Sequence, residues 1–270
     1  MSHRIPRVAR KVAVVCLALC SMLVAMLTVS ARAAARVEPT SRAHVIDARD
    51  RTPKVEASRA GKYPTQPFAL RQDEHTILAF PPRDAKKLLT VVYLHGVHGR
   101  AENGCPWLRA GASELGWLVC PEANEHLSND TFSWTGTISD QRAVVARAER
   151  AAQAQGADPA SAGVLVGFSQ GAYVALDLVH AGLGRYRGLV LIGAEVDPSR
   201  EVLAAGGIDR IVLAAGDLDG ASLPMRRSAE RLRAGGVDVR FVSLGRIGHS
   251  YETTDREALR DAIAWAGGST

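Results

Sequence analysis

At 270 residues, 47% of them hydrophobic and 23% charged, the chain is long enough for one sizeable domain and too apolar for wholesale disorder. The formal charge of +5 does not describe that domain. Residues 1–33 carry Arg4, Arg7, Arg10, Lys11 and Arg32 and no acid, and the remainder holds 28 basic against 28 acidic residues, so no nucleic-acid partner is expected.

In chain order, the basic stretch 4–11 precedes an apolar run over 12–29, and Ala31-Arg32-Ala33 fits a small-x-small cleavage pattern. Residues 1–33 therefore read as an export signal, with an uncleaved anchor as the alternative. In either case the positive flank stays inside and the rest is exported, periplasmic or secreted. Membrane contact is expected only through this segment. Cys16 and Cys20 fall within it, which leaves Cys105 and Cys120 for the mature chain, and an oxidising compartment favours a disulfide between them. Residues 34–66, rich in Arg, Asp, Glu, Ser and Pro without periodicity, read as a flexible linker, and 67–270 as the domain.

Within the domain, fully apolar or period-2 runs predict strands over 75–80, 90–94, 117–120, 163–168, 188–193, 208–215 and 237–244. Helical spacing predicts helices over 139–155, 170–181, 222–234 and 254–265, the first stopped by Gly156 and the third by Gly235-Gly236. Strands alternating with helices imply an α/β fold whose mostly parallel sheet is covered on both faces. In such sheets polar residues at the carboxyl ends of strands are the first candidates for a site.

One strand end stands out. The run Val164-Leu165-Val166 leads directly into Gly167-Phe168-Ser169-Gln170-Gly171, and Ala172-Tyr173-Val174-Ala175-Leu176 leads out as a helix. A serine on so sharp a strand-to-helix turn needs small residues two positions either side. The turn exposes Oγ, and the helix N-terminus behind it favours the negative charge of acyl transfer. With these flanks the chain resembles the α/β-hydrolases, and its pentapeptide is similar to the elbow of the carboxylesterase, phospholipase and acyl-thioesterase group. The resemblance covers about residues 75–266 and implies the α/β-hydrolase fold with Ser169 as nucleophile.

The family's order of nucleophile, acid and histidine sends the search downstream. Only His180 and His249 follow Ser169; His180 lies on the helix after the elbow, whereas Gly248-His249-Ser250 stands past the last strand, where the family places its base. The run Ile211-Val212-Leu213-Ala214-Ala215 ends in Gly216-Asp217-Leu218-Asp219-Gly220. The family's Gly-x-x-Asp selects Asp219 as the acid, with Asp217, and then Glu195 or Asp197, as alternatives. His95-Gly96-Val97 resembles the family's His-Gly-x loop, which implies an oxyanion hole from the Val97 and Gln170 backbone amides and a bracing role for the His95 ring.

His98 and Trp134 are candidates to line the substrate pocket, with a solvent-facing His98 and a core Trp134 as the alternatives. His95, His98 and His126 match no compact metal spacing, so neither metal nor cofactor is expected. The expected function is cleavage of a small-molecule or lipid-like ester through an acyl-enzyme, with a short-chain esterase first. A thioesterase, lysophospholipase, polyester depolymerase or peptidase is an alternative within the class, and a non-catalytic binding scaffold one outside it.

Overall fold

In a computed structural model the described residues are 44–47, 68–72, 75–252 and 256–268. The chain divides into two units, Met1–Arg42 and Ala43–Thr270. The first, with the expected export signal, lies outside the described residues, as does the 34–66 segment apart from His44–Asp47. Among the described residues no helix is long and apolar enough to cross a membrane.

The apolar runs form a nine-stranded sheet in the order β1-β2-β3-β5-β4-β8-β9-β10-β11. Its strands are β1 (His44–Asp47), β2 (Phe68–Gln72), β3 (His75–Phe80), β4 (Leu89–Leu94), β5 (Gly116–Pro121), β8 (Gly163–Phe168), β9 (Tyr186–Ile192), β10 (Arg210–Ala215) and β11 (Asp238–Ser243). From β5 through β4, β8, β9 and β10 to β11 every pairing is parallel, and β3 runs antiparallel to both β2 and β5. A separate hairpin joins β6 (Glu125–Leu127) to β7 (Thr131–Ser133).

The central strands β4, β5, β8, β9 and β10 are apolar on both sides because both faces are covered. Along β4, Val92 and Leu94 point into one core with α2 (Ile138–Ala154), α3 (Gln170–His180), α4 (Arg200–Ala205) and α5 (Ser222–Ala234). Val91 and Tyr93 point into the other, with α1 (Ala101–Ala112) and α6 (Arg256–Ala266). A capping box starts α2: Thr137 Oγ1 accepts from the Asp140 amide at 3.3 Å and Asp140 Oδ2 accepts from the Thr137 amide at 2.8 Å.

Helical spacing does not mark α1, whose Ala-Glu-Asn-Gly-Cys-Pro start has low helix propensity. Packing forms it instead. Ala101, Cys105, Leu108 and Ala112 fall on one buried face, and at Gly111 a Cβ would stand 2.7 Å from the Arg260 carbonyl oxygen of α6. Cys105 of α1 is disulfide-bonded to Cys120 of β5, with Cα atoms 6.0 Å apart. Closing that loop restricts the unfolded chain by about 3 kcal/mol.

Candidate active site

Three strand ends on the carboxyl edge of the sheet bring Ser169, Asp219 and His249 together. Ser169 directly follows β8 at φ +52° and ψ −117°, a conformation that costs about 1–3 kcal/mol for a residue with a Cβ. The elbow is this tight because its glycines let backbone meet backbone: a Cβ on Gly167 would run into the Gly171 carbonyl, and one on Gly171 into the Leu94 carbonyl. Ser169 occupies the N-cap position of α3, yet its hydroxyl makes no capping bond. Oγ lies 2.9 Å from His249 Nε2 instead.

His249 follows β11 and is half exposed, while Asp219 follows β10 with its side chain only 6% exposed. The Asp219 carboxylate is held at both oxygens, Oδ1 accepting from the Ala221 amide at 3.0 Å and Oδ2 meeting His249 Nδ1 at 2.9 Å. A carboxylate on Nδ1 makes that nitrogen the donor, which leaves Nε2 as an acceptor for the Ser169 hydroxyl proton. The Phe168 ring lies 5.1 Å from the imidazole, and Tyr251 meets Phe168 edge-on at 4.6 Å.

The other acids point elsewhere. Asp217 is exposed and accepts from Ser243 Oγ at 2.6 Å. Asp197 pairs with Arg231 and accepts from Ser228 Oγ at 3.0 Å, and the Arg231 hydrogen bond leads in holding its carboxyl below the ordinary range. Glu195 is exposed, and its amide donates to Tyr173 Oη at 3.2 Å. His180 ends α3 on the surface, away from the elbow.

The loop after β4 faces the elbow. Val97 is 51% exposed, in a turn closed by the Gly99 amide on the Gly96 carbonyl at 3.0 Å. The Gln170 amide opens α3, where first-turn N–H groups lack an intrahelical acceptor. His98 is exposed, with φ +55°.

His95 is buried, its Nδ1 donating to the Gly96 carbonyl at 2.7 Å and its Nε2 accepting from the Ala123 amide at 3.0 Å. Trp134 does not wall an open pocket. It is 3% exposed and packs in the core beneath the loop, because its Nε1 finds a buried acceptor in the His95 carbonyl at 2.9 Å.

Burial pushes the His95 imidazole down to about 4, against the smaller opposing effect of its bond to Gly96. A base whose folded pKa lies below its unfolded value of about 6.5 stabilises the fold fully above that value and loses the contribution as pH falls toward 4, by about 3 kcal/mol. Burial also raises the Glu122 carboxyl, despite a 2.6 Å hydrogen bond from the Thr76 amide and Arg100 nearby, and this works in the opposite sense. Comparing wild type with His95→Gln by urea unfolding between pH 7.5 and 5 isolates the imidazole. The stability difference is expected to shrink as pH falls, and a constant difference would exclude the assignment.

Two further groups at the site escape the sequence reading. Glu122, 1% exposed, directly follows β5 and lies next to the Ala123 amide that anchors His95; an acid at the end of a wholly apolar strand was the available signal. The Gln170 side chain pairs with the Trp134 backbone, its Oε1 accepting from the amide at 3.1 Å and its Nε2 donating to the carbonyl at 3.0 Å. No local pattern announces that contact.

No family model and no curated protein matches the sequence. Solved structures do match. The carboxylesterase of Bacillus cereus is 20% identical with a TM-score of 0.51, covering 70% of this chain and 92% of its own. A hyperthermophilic esterase from Pyrobaculum calidifontis is 17% identical at 0.51, covering 75% and 83%. An uncharacterized protein from Bacillus cereus ATCC 10987 is 19% identical at 0.56 over 67% of this chain, which spans only 60% of that protein's length. With its mostly parallel sheet and helices on both faces, this chain has the α/β-hydrolase fold.

Proposed function

We propose that the protein is an exported serine hydrolase that cleaves carboxylic esters through an acyl-enzyme on Ser169. The observation that carries this reading is the continuous hydrogen-bonded relay from Ser169 Oγ through His249 to Asp219, 2.9 Å at each step. His249 Nε2 takes the hydroxyl proton as Oγ adds to the ester carbonyl carbon. The Val97 and Gln170 amides hold the resulting oxyanion, and Asp219 stabilises the imidazolium. As the tetrahedral species collapses, the carbon–oxygen bond to the alcohol breaks and His249 returns the proton to the departing oxygen. Water then repeats the sequence on the acyl-enzyme, releasing the acid and restoring Ser169.

Export is supported by the basic and apolar residues 1–33 and by the Cys105–Cys120 disulfide. An apolar ester group is favoured by four exposed apolar side chains: Tyr173, Leu218 and Leu223, close to Ser169 or Asp219 in the chain, and Val97, in the loop whose Gly96 packs against Phe168 and Ser169. Between β9 and β10 the chain forms only the six-residue α4, which favours an open site and a short acyl group over a lidded lipase.

Fluorophosphonate treatment of the protein followed by peptide mass mapping tests the reading. One adduct per chain is expected, on the peptide bearing Ser169, together with turnover of short-chain p-nitrophenyl esters. An adduct elsewhere would overturn the nucleophile. No adduct and no turnover across a broad ester panel would leave the fold as a binding scaffold.

A further inference from the structure

The geometry points to Trp134 as a positioning residue that, through the side chain of Gln170, sets the spacing between the two oxyanion donors. The inference rests on the proposed ester hydrolysis. The two amides belong to different elements, Val97 to the loop after β4 and Gln170 to the first turn of α3. An oxyanion bound between them gains fully only when both are held to within tenths of an ångström. Trp134, on a third element after β7, reaches both. Its indole N–H holds the His95 carbonyl, two residues before Val97, at 2.9 Å. Its backbone amide and carbonyl hold the two ends of the Gln170 side-chain amide at 3.1 and 3.0 Å.

The arrangement is rigid. The Gln170 side chain spends its acceptor and a donor on one residue's backbone, so a flipped amide would set donor against donor. Trp134 is 3% exposed, which shields these bonds from competing water. The remainder of the loop is pinned from the same side. The Phe132 amide donates to the Gly99 carbonyl at 3.0 Å, and the Ala123 amide donates to His95 Nε2 at 3.0 Å. Val97 thus lies between anchored points at 95 and 99. Buried beneath the loop, the Trp134 ring is not placed to bind the substrate's ground state, and its loss acts on the transition state.

Full-length wild type, Trp134→Phe, Gln170→Leu and the double variant test this. Trp134→Phe keeps a ring but removes the N–H, and Gln170→Leu removes both side-chain bonds at a half-buried position. End-point fluorophosphonate labelling counts competent serines, and kcat is expressed per labelled site. Each single variant is expected to lose about 10- to 100-fold in kcat on p-nitrophenyl butyrate, with KM within about twofold. The Ki of a trifluoromethyl ketone, whose adduct with Oγ carries the oxyanion, should rise by the same factor. Because both changes cut one brace, the double variant should lose less than the product of the singles.

A purely structural role would lower only the number of labelled sites, leaving kcat per site and the ketone Ki unchanged, and that result overturns the proposal. If Trp134→Phe does not fold, Gln170→Leu alone decides by the same criteria. A wild-type protein that neither labels nor turns over ester would overturn the hydrolase reading itself, and the brace with it.

Discussion

Ser169→Ala, His249→Ala and the double variant are each expected to lower kcat by about 10⁶-fold on a p-nitrophenyl ester, the double losing no more than either single. The reason lies in the relay. Oγ is a poor nucleophile until Nε2, 2.9 Å away, accepts its proton, and Nε2 has nothing to activate once Oγ is gone. Two residues that act only through one another cannot lose their effects independently. On the proposed mechanism the Val97 and Gln170 amides and substrate binding still act in these variants, so a residual rate above the uncatalysed one is expected. Thermal unfolding should show all three variants folded, because Ser169 makes no capping bond to α3 and His249 is half exposed. Losses that multiply in the double variant would mean that the two residues serve separate steps, and the relay would be wrong.

The sequence carries the relay because it carries the sheet. Strands β4, β8, β9 and β10 are buried on both faces, so they read as unbroken apolar runs whose ends are visible, and the predicted strands and helices end within two residues of the observed bounds. Ser169 stands directly past the end of β8 and Asp219 in the turn after β10, where a polar residue has no packing role to explain it, while His249 stands in the loop after the edge strand β11. Other features have no local signal. The three-residue strands β6 and β7 pair with each other and, through Phe132, with Gly99, contacts that no periodicity encodes. The helix α1 forms against its propensity because β5 and α6 offer it a surface. Trp134 shows the same limit at the site. An indole is apolar enough for a pocket wall and for a core, and only the direction of its N–H, fixed by the His95 carbonyl, separates the two.

Asp219→Asn is expected to lower kcat by about 10⁴-fold at neutral pH, while Asp217→Asn changes it by no more than about threefold. Both aspartates follow β10, but their environments differ. Asp219, 6% exposed, keeps one oxygen on the Ala221 amide and the other on His249 Nδ1. An asparagine that retains the Ala221 bond through its own oxygen presents its NH₂ to Nδ1. That nitrogen must then accept, which moves the imidazole proton to Nε2, the nitrogen that should receive the proton of Ser169. The imidazole stays in place in the wrong tautomer, and no carboxylate remains to stabilise its charged form. Asp217 is exposed and bonded to Ser243 Oγ, with no contact to the imidazole, so its amide perturbs only a turn. Parallel kcat measurements on the two variants, with fluorophosphonate labelling rates as a second readout, decide the matter. Loss in Asp217→Asn with Asp219→Asn unaffected would move the acid two residues upstream and require His249 to turn away from the geometry described.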